Sequence, residues 1–288
     1  MSLDSLQEKI RKTKNPSILE FNLKLSQLPP EYREAGVEGY GRYCCALLEK
    51  LQGKVPGVRF GFASFAVHGA AGLLQLTQAM EAAKKHSYYV LLDAPGIYST
   101  ASAELVAETV FGEAHAWPCD GLVIPGYLGS DIWKPFLPYC KNGKDIFVVV
   151  RSGNKSASDL QDLLTGSRLV HTVAADHVNR YGGDMTGKSG YSRVSILAAA
   201  SLADSLRTLR AKYPRLFLLV DGYDYPNANA KNCAAAFDKL GHGAAVCAGV
   251  SITCAWAQAG SGGEDCLEQA SAAADRMKKN LCRYVSVL

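Results

Sequence analysis

Eight short apolar, β-branched runs alternate with longer amphipathic segments along almost the whole chain, and this alternation narrows the fold more than any other feature. The runs fall at 18–22, 58–64, 88–93, 121–125, 146–152, 194–199, 216–221 and 244–249. Strands separated by helix-length segments pair in parallel, because a parallel neighbour can be reached only through a crossover. A doubly wound open sheet uses the same local pattern. The count of eight favours an α/β fold of the (β/α)8 TIM-barrel type. Helices are expected at 30–51, 69–85, 101–111, 132–140, 156–164, 202–212, 230–240 and 264–284, with an extra one at 167–181. Residues 1–14 read as a helix capping the barrel base, and 182–190 as a flexible Gly-rich loop. With no repeat or linker in view, 1–288 reads as a single TIM-barrel domain.

Composition excludes several functions. With 48% apolar residues, a chain of 288 can bury a large core. Its net charge of +4 is spread without a basic run, so no nucleic-acid partner is expected. Nine cysteines without a Cys-x-x-Cys pair suit reduced, buried thiols rather than metal ligands. The six histidines form no Ser-His-Asp or Cys-His arrangement that the sequence can define. No metal or cofactor is expected. The beginning of the chain lacks a basic segment followed by an apolar run, and no stretch nears the ~20 apolar residues of a membrane span. A cytoplasmic protein without a membrane partner is the expectation.

Barrels place ligands at the carboxyl ends of their strands. Those ends offer Asn22, Arg59 with Ser64, Asp93, Tyr127, Arg151 with Asn154, Asp221 with Tyr223 and Asp224, and Gly249. Arg59 and Arg151 suit either an anion clamp or internal pairing with Asp93 and Asp221. Asp93 suits catalysis, a helix cap or an arginine partner. Ser99 and Thr100 suit a sugar contact or the cap of the following helix. Asp221 and Asp224 could supply half of a divalent-metal site, without a matching His or Glu cluster.

One of these ends carries a resemblance. Asp93-Ala94-Pro95-Gly96-Ile97-Tyr98-Ser99-Thr100 resembles the catalytic turn of the orotidine 5'-phosphate decarboxylase family, which in the bacterial branch with longer chains reads Asp-Ala-Lys-Arg-Gly-Asp-Ile-x-Ser-Thr. Further along, Pro125-Gly126-Tyr127-Leu128-Gly129-Ser130-Asp131 is similar to its Pro-Tyr-Leu-Gly-x-Asp. Val148-Val149-Val150-Arg151-Ser152-Gly153-Asn154 is similar to its Val-Arg-Thr-Ser-Asn. Val55-Pro56-Gly57-Val58-Arg59-Phe60 and Val220-Asp221-Gly222-Tyr223 match the second and seventh strands less closely. The resemblance runs from about Asn15 to Gly260. It implies a barrel, a lyase of pyrimidine nucleotide synthesis, a phosphorylated, nucleotide-like ligand and a homodimer.

The departures lie where the family's chemistry lies. Pro95 stands where the family has its lysine, and the second aspartate of the turn is missing. Asn22 replaces an aspartate that holds the ribose, Arg59 a lysine, Ala66 a glutamate and Val250 the phosphate-binding arginine. The resemblance with these departures implies a family member with little or no decarboxylase activity. The alternatives are a non-catalytic binder of a small anionic or nucleotide-like ligand, and a barrel enzyme with changed chemistry. On either reading the candidate residues are catalytic Asp93, with Asn22, Arg59, Ser99, Thr100, Tyr127, Arg151, Asn154, Asp221, Tyr223 and Gly249 for the ligand.

Overall fold

The computed structural model describes residues 1–287. Its eight parallel strands are β1 (Ser17–Phe21), β2 (Gly57–Phe60), β3 (Tyr89–Asp93), β4 (Gly121–Pro125), β5 (Asp145–Arg151), β6 (Ser192–Ala199), β7 (Leu216–Asp221) and β8 (Ala244–Ala248). Each pairs with its neighbours in sequence, and β8 pairs with β1, so the barrel is closed. Strands covered on both sides read as continuous apolar runs, and Leu216 to Val220 of β7 are all buried. Every expected strand falls on an observed one, and the helix expected at 69–85 is found as Gly69–Lys85.

The differences share a cause: local pattern was ambiguous and tertiary burial decided. The second strand ends at Phe60 rather than at 64, and Phe62–Ala66 forms a short helix. That turn lets Phe65 stack on Tyr40 at 4.5 Å. The helix expected at 30–51 is broken into Pro30–Glu34 and Gly36–Lys50, with Gly36 at φ +63° in the region that favours glycine. Residues 132–140 form tight turns and the helix Leu137–Lys141, because Pro135 and Pro138 have no N–H to give. The 156–164 helix shrinks to Ser158–Gln161, and a small antiparallel ribbon joins 164–165 to 168–169 before the helix Val170–Gly182. The 230–240 helix stops at Ala234, beyond which Asp238 accepts the amides of Leu240 and His242 in a turn. Two short helices after β8, Val250–Thr253 and Ala255–Gln258, were not anticipated.

At the base, the helix Leu3–Thr13 lays Leu3, Leu6 and Ile10 under the strands. Its Asp4 accepts the Ser189 amide at 2.7 Å, which ties the 182–190 loop to the same face. Above it, the wholly buried Asp145 accepts the Tyr89 hydroxyl at 2.8 Å. Gly121 opens β4 because a Cβ there would lie 2.7 Å from that hydroxyl. Burial pushes the Asp145 carboxyl up to about 8; Tyr89 and Arg193 offset part of that rise, and nearby Asp120 adds to it. Among the described residues, no helix is long and apolar enough to cross a membrane.

Candidate functional site

Alternation along the strands brings one charged layer into the mouth. Arg59 of β2 is in register with Glu20 of β1 and Leu91 of β3, and Asp93 lies two residues beyond Leu91 on the same face. The Arg59 side chain, only 8% exposed, donates from Nε to Asp93 Oδ1 at 2.7 Å and from Nη1 to Asp221 Oδ1. Glu20, 14% exposed, places Oε1 3.8 Å from the same Nη1. Burial opposes the guanidinium charge, but Asp93, Asp221 and Glu20 outweigh it and hold Arg59 protonated, its pKa above the ordinary value. Burial is also the largest influence on Glu20. Arg59 draws its pKa down, while Asp221, Asp93 and Asp224 raise it, and the carboxyl stands at about 7. A group so placed can exchange a proton near neutrality.

Glu20 was not among the expected site residues; it lies inside β1, one residue before the strand ends. The period-two face of β1, on which Ile18, Glu20 and Asn22 share one side, is the signal that could have found it.

The loop after β7 reaches across the mouth toward β8. Asp224 accepts the Gly249 amide at 2.7 Å and the Ser251 amide at 3.3 Å, so the amide expected to be open to a ligand is taken by the chain's own carboxylate. Asp221 and Asp224 therefore serve different partners, Arg59 and the β8 amides, and do not converge as half of a metal site. The Tyr225 ring lies against Gly153 and Gly222, where a Cβ would come within 2.8 and 2.4 Å of it. Asp221, then burial and Glu20, push its phenol above the ordinary value. Cys247 of β8 lies beneath, beside Arg59.

The remaining candidates scatter. Asn22 is exposed and packs over Gly61. Ser64 turns away to the Gly61 carbonyl and the Tyr40 hydroxyl. Ser99 caps the helix Thr100–Phe111 by accepting the Ser102 amide at 3.2 Å, and Thr100 donates to Asp131 at 2.8 Å. Tyr127 donates to the Val150 carbonyl. Arg151 does not join Asp93 or Asp221; it forms a two-pronged pair with Asp162, Nε to Oδ1 at 2.9 Å and Nη2 to Oδ2 at 2.7 Å. Asn154 accepts from Ser152 on the exposed loop beyond it. Tyr223 points outward, to Asn280 of the C-terminal helix Cys266–Cys282. Arg59, Asp93, Asp221, Asp224 and Gly249 thus share the mouth, with Glu20 and Tyr225 added.

No protein-family model matches the chain. Among curated proteins it is 28% identical over 254 residues to the orotidine 5'-phosphate decarboxylase of Rhodopirellula baltica, an alignment covering 84% of each chain. The orotidine 5'-phosphate decarboxylase of Clostridium novyi is 23% identical over 287 residues, or 98% of each chain. Among solved structures, the OMP decarboxylase of Leishmania donovani superposes with a TM-score of 0.75 at 21% identity, covering 99% of this chain and 98% of that one. The orotidine 5'-monophosphate decarboxylase of Plasmodium berghei gives 0.77 at 12% identity, covering 98% of each. At such identities the superpositions speak to the barrel alone. The curated relatives reach further, since one of them aligns along nearly the whole length and both carry the name that the turn at Asp93 suggested. The chain is thus similar to orotidine 5'-phosphate decarboxylases from end to end, in sequence as in fold.

Proposed function

We propose that this family member does not decarboxylate orotidine 5'-phosphate at a useful rate, and that its mouth is closed by the chain's own charges. The observation carrying this reading is the identity of the cation that meets Asp93: a guanidinium, bonded to Asp93 and Asp221 together. Loss of carbon dioxide from orotate leaves an electron pair on a ring carbon, which needs a cation to stabilise it and a proton to quench it. An ammonium supplies both. A guanidinium holds its proton under all ordinary conditions, and the next position along the turn, Pro95, offers neither charge nor N–H. Loss of a general acid alone costs about 10²–10⁴ in rate.

The phosphate end supports the same reading. Val250 gives no cation, and the Gly249 and Ser251 amides already hold Asp224. Glu20, Asp93 and Asp221 surround one guanidinium and Asp224 adds a fourth carboxylate nearby, so an anionic nucleotide meets a surplus of negative charge. The test is incubation of purified protein with orotidine 5'-phosphate, following uridine monophosphate formation by chromatography. Conversion indistinguishable from the protein-free control is expected. Turnover at the rate of an active family member overturns the reading, and a thermal shift with uridine monophosphate that Asp224→Ala in the mouth alters would restore the anionic-ligand alternative there.

A second reading, a barrel enzyme with changed chemistry, is favoured by Glu20, whose carboxyl at about 7 is matched to proton transfer at neutral pH. Any turnover of that kind would show a pH–rate inflection near neutrality that Glu20→Gln removes. A homodimer is supported by exposed apolar side chains on adjacent βα units, Val67 and Leu74 after β2 and Tyr98 and Leu105 after β3. Light scattering with Leu105→Asp checks it, a shift to half the mass being the expected result. Any role in pyrimidine nucleotide synthesis is, on the first reading, one of descent only.

A further inference from the structure

Tyr223 was expected at the mouth and instead helps to line a separate pocket outside the barrel. This cavity, about 350 Å³, lies between the β7 loop and the C-terminal helix and is lined by Tyr223, Asn229, Lys231, Asn280, Arg283 and Tyr284. Pockets that hold small molecules run from about 300 to 1,000 Å³. The lining chemistry is specific in kind. Lys231 and Arg283 are both exposed, and neither makes an ion pair or side-chain hydrogen bond among the described residues. Asn280 stands beside Tyr223 in the same wall of the pocket. Asn229 uses its carbonyl oxygen on the Asn232 amide at 2.9 Å, which leaves its NH2 group to donate. Tyr284 is 54% exposed and presents an aromatic ring at the rim.

We propose that this pocket binds a phosphorylated ring compound of about the size of a nucleoside monophosphate. Two uncommitted cations suit a phosphate, one as a point charge and one as a planar fork. Two tyrosines supply apolar faces for a ring, and face-to-ring contacts of this kind tolerate different bases. The asparagine amides can meet the polar edge of the ring. The contrast with the mouth fixes the choice of site. There, three carboxylates surround one fully engaged guanidinium, whereas here two positive charges stand unmatched. The proposal is independent of whether the mouth decarboxylates anything.

Calorimetric titration of the full chain with adenosine monophosphate, ribose 5-phosphate and inorganic phosphate tests it. Adenosine monophosphate is expected to bind tightest, with affinity falling as salt rises. The Lys231→Ala/Arg283→Ala double variant, altered only at exposed positions, should weaken it by about tenfold or more. Tyr284→Ala should bring its affinity down to that of ribose 5-phosphate, and Glu20→Gln in the mouth should leave it unchanged. No binding of adenosine monophosphate overturns the proposal, as does equal affinity in the double variant. Equal affinity for all three probes, or a loss seen in Glu20→Gln and not in the pocket variants, does so too. Decarboxylation is read with a different compound, so failure here and failure of the mouth reading are separable.

Discussion

The two ends of this barrel both bury carboxylates and manage them in opposite ways. At the base, Asp145 lies under the N-terminal helix with the Tyr89 hydroxyl at 2.8 Å, and its carboxyl at about 8 keeps its proton at neutral pH. At the mouth, Asp93 and Asp221 are answered by the buried Arg59 guanidinium. The base removes a charge at Asp145, while Asp120 beside it stays paired with Lys84 and the N-terminal amine; the mouth gathers its acids on one guanidinium. Pairing takes two ions out of water and recovers the cost only with good geometry, whereas a neutral acid needs just a hydrogen bond. A paired set at an open end can be re-paired by something else, so the mouth is where chemistry could survive. The covered base is architecture.

Removing the mouth's cation is the most severe way to break that contrast. Arg59→Met leaves Asp93, Asp221 and Glu20 facing one another with nothing to balance them. A cost of about 3–5 kcal/mol is expected from breaking a buried pair. Without Arg59 the Glu20 carboxyl loses the charge that draws its value down, so the loss should be greater on the alkaline side and shrink as that acid takes up its proton. Urea denaturation at mildly acid and mildly alkaline pH measures it, and a cost equal at both would contradict the pairing account.

The base gives the next largest effect. Asp145 has a folded value of about 8 against an ordinary 3.8, so its contribution is complete below 3.8 and is lost as pH rises through 8. Asparagine cannot ionise there. Asp145→Asn should therefore flatten the fall in stability across that window relative to the parent. Parallel denaturation curves for parent and variant across the window would show that the base does not hold a neutral acid.

How far this contrast was legible in the sequence follows from its parts. All eight strands could be read because apolar runs buried on both faces need no partner to reveal them. Arg59, Asp93 and Asp221 stood out as charges inside such runs, and Asp93 with the turn after it also carried the family resemblance. Arg151 stood out equally, yet its partner Asp162 lies eleven residues on, in a segment whose path the sequence left as an unbroken helix. Glu20 was passed over, and Asp224 was expected beside Asp221 as half of a metal site. Glu20 is one residue short of its strand's end, and Asp224 finds its partners only when the β7 loop meets the β8 amides. Asp145 sits at the start of its strand and was never on a list built from strand ends.

Glu20→Gln sharpens the contrast at smaller size. Its folded value of about 7 exceeds the ordinary 4.5, so its contribution is present below 4.5 and is lost as pH rises through 7. The sign is that of Asp145, while the window closes earlier. The variant should gain about 1–2 kcal/mol relative to the parent above neutrality. Because Glu20 and Arg59 act on each other, the gain should grow in the Arg59→Met background, and a double-mutant cycle reads that coupling. Additive effects would mean that Glu20 feels its burial and not the charged layer.

The smallest difference concerns how each end pins a loop. At the mouth, Asp224 accepts the Gly249 and Ser251 amides at 2.7 and 3.3 Å. At the base, Asp4 accepts the Ser189 amide at 2.7 Å and Arg193 Nη2 at 3.2 Å. Burial raises the Asp4 value, but the Ser189 and Lys188 hydrogen bonds and Arg193 outweigh it and hold the carboxyl below the usual range. Its contribution is therefore present above the unfolded value and disappears as pH falls through the folded one. Asp224→Ala and Asp4→Ala should each cost about 1 kcal/mol, the scale of one charge-assisted bond to a backbone amide. Amide hydrogen exchange separates them locally: Gly249 should lose protection only in the first variant and Ser189 only in the second. Since the mouth loop also leans on Tyr225 and the base loop on the isolated pairing of Thr186 with Ser192, exchange that spreads from either amide to its whole loop would identify the carboxylate as the main clamp at that end.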